Sequence, residues 1–289
     1  MQCIMSIAYL NGTFLPLEQA QIPVLDRGFI FGDGVYEVIP VYSGRLFRLD
    51  AHLRRLNKSL ASIQLSNPMT DAQWTEALEQ LVAENQQDDG DQSIYLQVTR
   101  GVAKRKHNFP EHTQHTVFMM SDPLVDQPPS TGVSAITLDD IRWQLCHVKS
   151  IALLGSVLLR QQAVEQGAAE SILLREGYVT EGAASNVFVI KDGVALTPPE
   201  GPFILTGITR DLIMESMQAA GLRCEEAQIT EAQLRDADEI WLTSSTREIL
   251  PVIELDGKPV GNGQVGAVWQ QAWDLFQAYK QSLRTHKIS

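Results

Sequence analysis

The chain has 289 residues, 44% of them hydrophobic and 20% charged, an ordinary balance for a soluble globular protein with room for two modest domains. Its 35 Asp and Glu against 23 Lys and Arg leave a net charge of -12, which repels nucleic acid and anionic lipid, so a small anionic ligand must meet a local basic pocket. The start, MQCIMSIAYLNG, lacks a basic segment before a long apolar run, and no window reaches the roughly 18 apolar residues of a membrane span, so a cytoplasmic protein is expected. Cys3, Cys146 and Cys224 are scattered without metal spacing, which fits a reducing compartment and predicts neither disulfides nor a metal.

In chain order, the Asn11-Gly12 pair predicts a hairpin between two short strands. DRGFIFGDGVYEVIPVY follows, with Gly28, Gly32 and Gly34 marking a turn that feeds a strand, and Pro40 marking an edge or bulge in it. Asp50 is read as the N-cap of a helix with Leu53, Leu56, Leu60 and Ile63 on one face. Thr70 and Gln73 stand in capping-box register for a second helix burying Trp74, Leu78, Leu81 and Val82. SIYLQVTR alternates as a strand, with Ile94, Leu96 and Val98 on one face, and 117–120 predicts one more.

The proline-bearing stretch 121–132 is read as a linker between a small N-terminal domain, 1–120, and a larger C-terminal one, 133–289. Strands are expected beyond it at 133–138, 143–148, 171–174, 186–190, 194–197, 239–243 and 252–255. Helices are expected at 150–166 ending at Gly167, at 208–220 ending at Gly221, and at 265–280 with Trp269, Trp273 and Phe276 on one side. The fold class is therefore mixed α/β in two lobes.

Three places carry chemistry. Lys149, in HVKSIALLGSVLL, is read as closing a strand and opening an apolar helix, and Glu181 lies in GYVTEGAASNVFVI. An amine held by rigid structure and a carboxylate are what pyridoxal phosphate needs, the one for its aldehyde and the other for its ring nitrogen. A helix start at LTGITRDLIM, with Gly207, Ile208 and Thr209, and the run Thr243, Ser244, Ser245 and Thr246 offer donors for a phosphate. Either of these alone also reads as a plain N-cap or polar loop. GVAKRKHNFPEHT presents Lys104, Arg105, Lys106 and His107, cations for an α-carboxylate or simply a solvated loop.

The run from Lys149 to Asn186, above all VTEGAASN, resembles the class IV aminotransferases, and RxHxFP after a YxQVTRG strand is similar to their D-amino-acid branch. The resemblance implies the two-domain fold-type IV architecture with pyridoxal 5'-phosphate between the lobes. It assigns Lys149 to the covalent and catalytic role, Glu181 to the ring nitrogen, and Arg55, Ile208, Thr209 and Ser245 to the phosphate, with Leu205 packed on the ring face. It further implies that Tyr36, Tyr95, Arg105 and His107 bind the substrate, with Arg105 and His107 crossing between the subunits of a homodimer. The expected reaction is ping-pong transfer between D-amino acids, D-alanine among them, and 2-oxo acids such as 2-oxoglutarate.

Arg247, directly after the Ser-Ser-Thr run, is a departure that bears on side-chain preference. Three other readings stay open: a branched-chain L-amino-acid aminotransferase, an aminodeoxychorismate lyase of the same fold, and a non-catalytic phosphate-binding module.

Overall fold

The computed structural model describes residues 6–86, 90–112, 114–124 and 131–285; Cys3 lies outside them. The chain forms two compact units, Met1–Asp126 with Val148–Ala152, and Gln127–His147 with Leu153–Ser289.

The first unit is built on a six-stranded sheet. Its strands are β1 (Ile7–Leu10), β2 (Thr13–Pro16), β3 (Gly34–Tyr42), β4 (Arg45–Leu46), β5 (Gln92–Thr99) and β6 (Thr116–Pro123), in the order β2-β1-β6-β5-β3-β4. Asn11 and Gly12 take positive φ at the hairpin, as that dipeptide predicts. A 3-10 turn (Leu17–Gln19) and one short α-helix, α1 (Arg27–Phe31), precede β3, and two longer helices cover the sheet, α2 (Leu49–Ser62) and α3 (Asp71–Glu84). Leu53, Leu56 and Leu60 of α2 and Trp74, Leu78 and Leu81 of α3 bury against Val35, Ile39, Ile94, Leu96 and Val98. The capping box forms, with Gln73 N donating to Thr70 Oγ1 at 3.3 Å and Thr70 N to Gln73 Oε1 at 2.8 Å.

Asp50 is not a cap. Arg48, in the left-handed region, precedes the helix, and Asp50 sits in its first turn, where its charge still favours the positive end. Pro40 falls where β3 needs no amide: it faces Ser93 of β5, while β4 pairs only with Val41 and Tyr42. Gly34 lies so close to β5 that a Cβ would stand 2.6 Å from Val98 O. Residues 121–123 of the stretch read as a linker are still in β6, and 125–130 lie outside the described residues.

The second unit has a nine-stranded sheet. In chain order its strands are β7 (Val133–Asp139), β8 (Glu170–Arg175), β9 (Tyr178–Gly182), β10 (Asn186–Lys191), β11 (Val194–Thr197), β12 (Cys224–Glu226), β13 (Glu239–Ser244), β14 (Glu248–Leu255) and β15 (Lys258–Pro259). They lie in the order β12-β11-β10-β13-β14-β7-β8-β9, with β15 on β14. The helices are α4 (Leu154–Glu165), α5 (Ile208–Ala219), α6 (Glu231–Arg235) and α7 (Ala267–Thr285). Trp269, Trp273 and Phe276 of α7 are buried, as their spacing predicts.

The strand expected at 143–148 does not form. That segment is a bent loop in which Cys146 N donates to Pro202 O at 2.7 Å and Cys146 Sγ turns back to Trp143 O. Trp143 and Leu145 are exposed, so no apolar face was available to hold them in a ladder. Nor does Lys149 open a helix, since α4 starts only at Leu154. The intervening residues pair instead with β3: Tyr36 N donates to Lys149 O at 2.9 Å, Ile151 N to Gly34 O at 3.1 Å, and Ser150 bridges Val35. That pairing is why 148–152 belongs to the first unit.

Among the described residues no helix is long and apolar enough to cross a membrane, and no cluster of His, Cys, Asp and Glu could hold a metal.

Candidate active site

Tyr36, Arg55, Tyr95, Arg105, His107 and Lys149 are residues of the first unit. Lys149 is half-buried on a backbone held from two sides: its carbonyl accepts from Tyr36 N, and its N–H donates to Ser59 Oγ of α2 at 3.1 Å. Its Nζ sits 4.0 Å above the Tyr36 ring, which stacks on Tyr95 at 5.7 Å. Burial, then the neighbouring Tyr36, pushes the Tyr95 hydroxyl up to about 12, and it donates to Gln97 Oε1 at 2.6 Å.

Arg55 is gripped by a residue that sequence reasoning passed over. Glu37 points inward from β3, fully buried, and accepts from Arg55 Nε at 2.9 Å and Nη2 at 2.6 Å, with His52 Nδ1 2.8 Å from the same Oε2. Burial alone would raise the Glu37 carboxyl, but Arg55, and after it His52, outweigh that and hold it at about 2. Burial holds His52 below its ordinary 6.5 against the pull of Glu37.

Glu37 is ordinarily at 4.5 and His52 at 6.5, and both fall on folding, so each contribution is present above those values and is lost as the pH drops below them. The Glu37 contribution, about 3 kcal/mol, disappears between pH 4.5 and 2. Denaturant melts across that range will show a shallower loss for Glu37→Gln than for the parent; parallel curves would refute the coupling.

Arg105 and His107 are exposed and gather around Phe31 of α1, with the Arg105 guanidinium 5.4 Å and the His107 ring 5.5 Å from its centroid. Their loop is pinned from beneath. Arg27 donates to Lys106 O at 2.7 Å, Arg100 lies 3.7 Å over the Phe109 ring, and Asp33 pairs with both arginines at 2.7 and 2.9 Å. The structure brings Tyr36, Tyr95 and Lys149 together, and puts Arg105 and His107 in a separate group.

Glu181, Leu205, Ile208, Thr209 and Ser245 are residues of the second unit. Glu181, on β9, is 5% exposed. Its Oε2 accepts from Leu205 N at 3.0 Å and Asn186 Nδ2 at 3.2 Å, and its Oε1 from Arg142. Burial pushes the Glu181 carboxyl up to about 7 against the pull of Arg142. Asn186 also donates to Leu205 O at 2.8 Å and crowds Gly207, where a Cβ would meet its Oδ1 at 2.1 Å. Gly207 is thus the residue that lets α5 begin beside Asn186 and Leu205.

Ile208 and Thr209 form the first turn of α5, whose N-cap provides no side-chain acceptor, so backbone N–H groups there have no partner within the helix. Asn186 faces Thr243 across β10 and β13, and Thr243 Oγ1 is buried without a hydrogen-bond partner. Ser245 is half-buried in the following turn. A buried carboxylate, a helix start with open donors and an orphaned hydroxyl suit the ring nitrogen and phosphate of pyridoxal phosphate. Arg247 turns to Ala169 O at 3.2 Å and pairs with Glu170 at 3.8 Å.

Sequence reasoning missed Arg142, Glu37 and His52. The spacing of Asp140 and Arg142, two residues apart before the lysine, was the one local sign of the first.

Residues 34–255 match the family described as amino-transferase class IV. The chain is 44% identical over 272 residues to a D-alanine aminotransferase of Bacillus licheniformis, covering 92% of this chain and 94% of that protein. It is 41% identical over 281 residues to one of Staphylococcus epidermidis, covering 96% and 99%. Among solved structures it is similar to a branched-chain amino acid aminotransferase of Escherichia coli, with a TM-score of 0.91 and 26% identity over 99% of this chain and 98% of that one. A family match over most of the chain, joined to near full-length relatives above 40% identity, places this protein among the class IV aminotransferases.

Proposed function

We propose that this enzyme is a D-amino-acid transaminase that uses pyridoxal 5'-phosphate and exchanges amino groups between D-amino acids, D-alanine among them, and 2-oxo acids such as 2-oxoglutarate. The observation that carries the reading is near full-length similarity to D-alanine aminotransferases in a chain that carries Arg105 and His107 on one loop. Bound, the cofactor supplies an aldehyde that condenses with amines and a ring that withdraws electrons.

The chain's own residues do the rest. Lys149 Nζ would hold the cofactor covalently, and its free amine would take the proton from the substrate Cα. Glu181 keeps the ring nitrogen protonated. The N–H groups of Ile208 and Thr209, the Ser245 hydroxyl and Arg55 hold the phosphate, and Leu205 shields the ring face from water. Tyr36, Tyr95, Arg105 and His107 bind the substrate, the last two clamping its α-carboxylate.

We further infer a homodimer. Its support is the exposure of Arg105 and His107 and of Leu153, Leu154, Val157 and Leu158 at and before the start of α4. The free, buried Cys146 and Cys224 suit a reducing, cytoplasmic setting.

The test is an absorbance spectrum of the purified protein, followed by separate additions of D-alanine and of L-leucine. Bleaching by D-alanine and recovery with 2-oxoglutarate are expected. Response to L-leucine alone selects the branched-chain reading, pyruvate formed from aminodeoxychorismate without an acceptor selects the lyase, and a protein without cofactor absorbance is not an aminotransferase of this kind.

A further inference from the structure

Glu181 does not meet its surroundings alone. It ends a buried chain of alternating charges: Arg175 pairs with Asp140 at 3.3 Å, Asp140 with Arg142, and Arg142 with Glu181. Arg142 is held as a fork. Its Nε and Nη2 each donate to one Asp140 oxygen at 2.9 Å, and Nη2 also reaches Phe203 O at 3.2 Å. Asp140 is fixed in turn by Thr180 Oγ1 at 3.0 Å, and Arg175 lies 4.2 Å over the Phe203 ring. The charged side chains and Thr180 come from β8, β9 and the segment between β7 and α4, and Phe203 from the segment before α5, all within the second unit.

Among the described residues, Arg142, Asp140 and the Cys146 thiol act on Glu181, Arg175 stands behind Asp140, and Arg142 is the cation paired with the Glu181 carboxylate. Burial pushes Cys146 up to about 11, which leaves it neutral. Without Arg142, Glu181 would keep two neutral donors, Asn186 and the Leu205 amide, and would face Asp140 as a like charge while buried. Desolvation and like-charge repulsion then act in one direction, toward a protonated Glu181. A neutral carboxyl cannot anchor a pyridinium.

We propose that Arg142, aimed by Asp140, is a positioning residue that keeps Glu181 ionised and so decides that the proton shared with the cofactor's ring nitrogen stays on the nitrogen. The inference rests on the reading above that Glu181 faces that nitrogen. It gives Asp140 a role one step further out, as the residue that sets the angle of the fork.

The experiment uses pyridoxal phosphate labelled with 15N in the ring, bound to the parent, Arg142→Met, Arg142→Lys and Glu181→Gln proteins, with the ring shift read by NMR from pH 6 to 9. The parent is expected at the pyridinium position, Arg142→Met most of the way to neutral pyridine, and Arg142→Lys between them and closer to the parent. Single-turnover transfer from D-alanine should slow on the order of 100-fold in Arg142→Met, the usual size of losing a key electrostatic partner. In cofactor-free protein with 13C-labelled Glu carboxyls, the Glu181 signal of Arg142→Met should titrate at higher pH than in the parent.

A pyridinium shift retained in Arg142→Met, or an unmoved Glu181 titration, overturns the proposal and leaves Arg142 a structural ion pair. Identical shifts in the parent and Glu181→Gln overturn both this inference and the role of Glu181 beneath it. If Arg142→Met does not fold, Asp140→Asn with Arg142→Met removes both charges, so that Asp140 is not left with Arg175 as its one cation, and is read against the same outcomes.

Discussion

Lys149→Ala will lose the borohydride-reducible linkage to pyridoxal phosphate and with it nearly all turnover, about 10⁴-fold or more, as when a residue that reacts covalently is removed. The structure predicts that the loss is chemical rather than a collapse of the fold. The main-chain bonds to Tyr36 and Ser59 and the bridge from Ser150 to Val35 do not involve the Lys149 side chain. The amine itself touches the Tyr36 ring, so its removal takes away one cation–π contact and leaves the stacked tyrosines in place. Reduction followed by peptide mass mapping checks the assignment. A variant that still carried a reducible linkage at full occupancy would put the cofactor on another lysine.

Stereochemistry is the second large effect. If Arg105 and His107 clamp the α-carboxylate from the side opposite to that used by branched-chain relatives, the Cα–H of a D-amino acid faces Lys149 and that of the L form faces away. Transfer from D-alanine to 2-oxoglutarate will then greatly exceed transfer from L-leucine or L-valine. Arg105→Ala should raise KM for D-amino acids by the equivalent of about 1.5–3 kcal/mol, the worth of a charge-assisted hydrogen bond. The loop should survive the change, because Arg27, Arg100 and Phe109 anchor it without Arg105. Mixing the inactive Lys149→Ala protein with Arg105→Ala should restore activity if the loop serves a neighbouring subunit, since one site of the mixed dimer then has both residues. Absence of recovery would confine the loop to its own chain, and normal kinetics in Arg105→Ala would favour the branched-chain reading.

Local sequence rules were enough where one element satisfied itself. The Thr70 and Gln73 capping box, the alternation from Ile94 to Val98 and the Trp269, Trp273 and Phe276 stripe all depend on neighbours within a turn or a strand, and all formed. The setting of Lys149 was not legible, because 149–151 pair with Gly34–Tyr36, residues far away in sequence. An apolar run such as IALLGSVLL carries no mark of where extended pairing yields to helix. Arg142 was hidden for a related reason: a strand was expected directly after it at 143–148, whereas Arg142, with Asp140 and Glu181 as partners, lies in a loop whose course depends on Pro202 and Phe203. Glu37 occupies an inward position on β3, where pattern reading expects an apolar side chain, and its buried partners His52 and Arg55 come from a different element.

The membership of 148–152 in the first unit also bears on synthesis at the ribosome. Residues up to Asp126 can collapse early around α2 and α3, yet the edge of β3 at Gly34–Tyr36 stays open until the Lys149 segment has been translated. A nascent chain halted before that point would expose a strand edge that natural proteins usually cover. Long-range closure of this kind is slow, so Lys149 is among the last pieces of its unit to be locked in place.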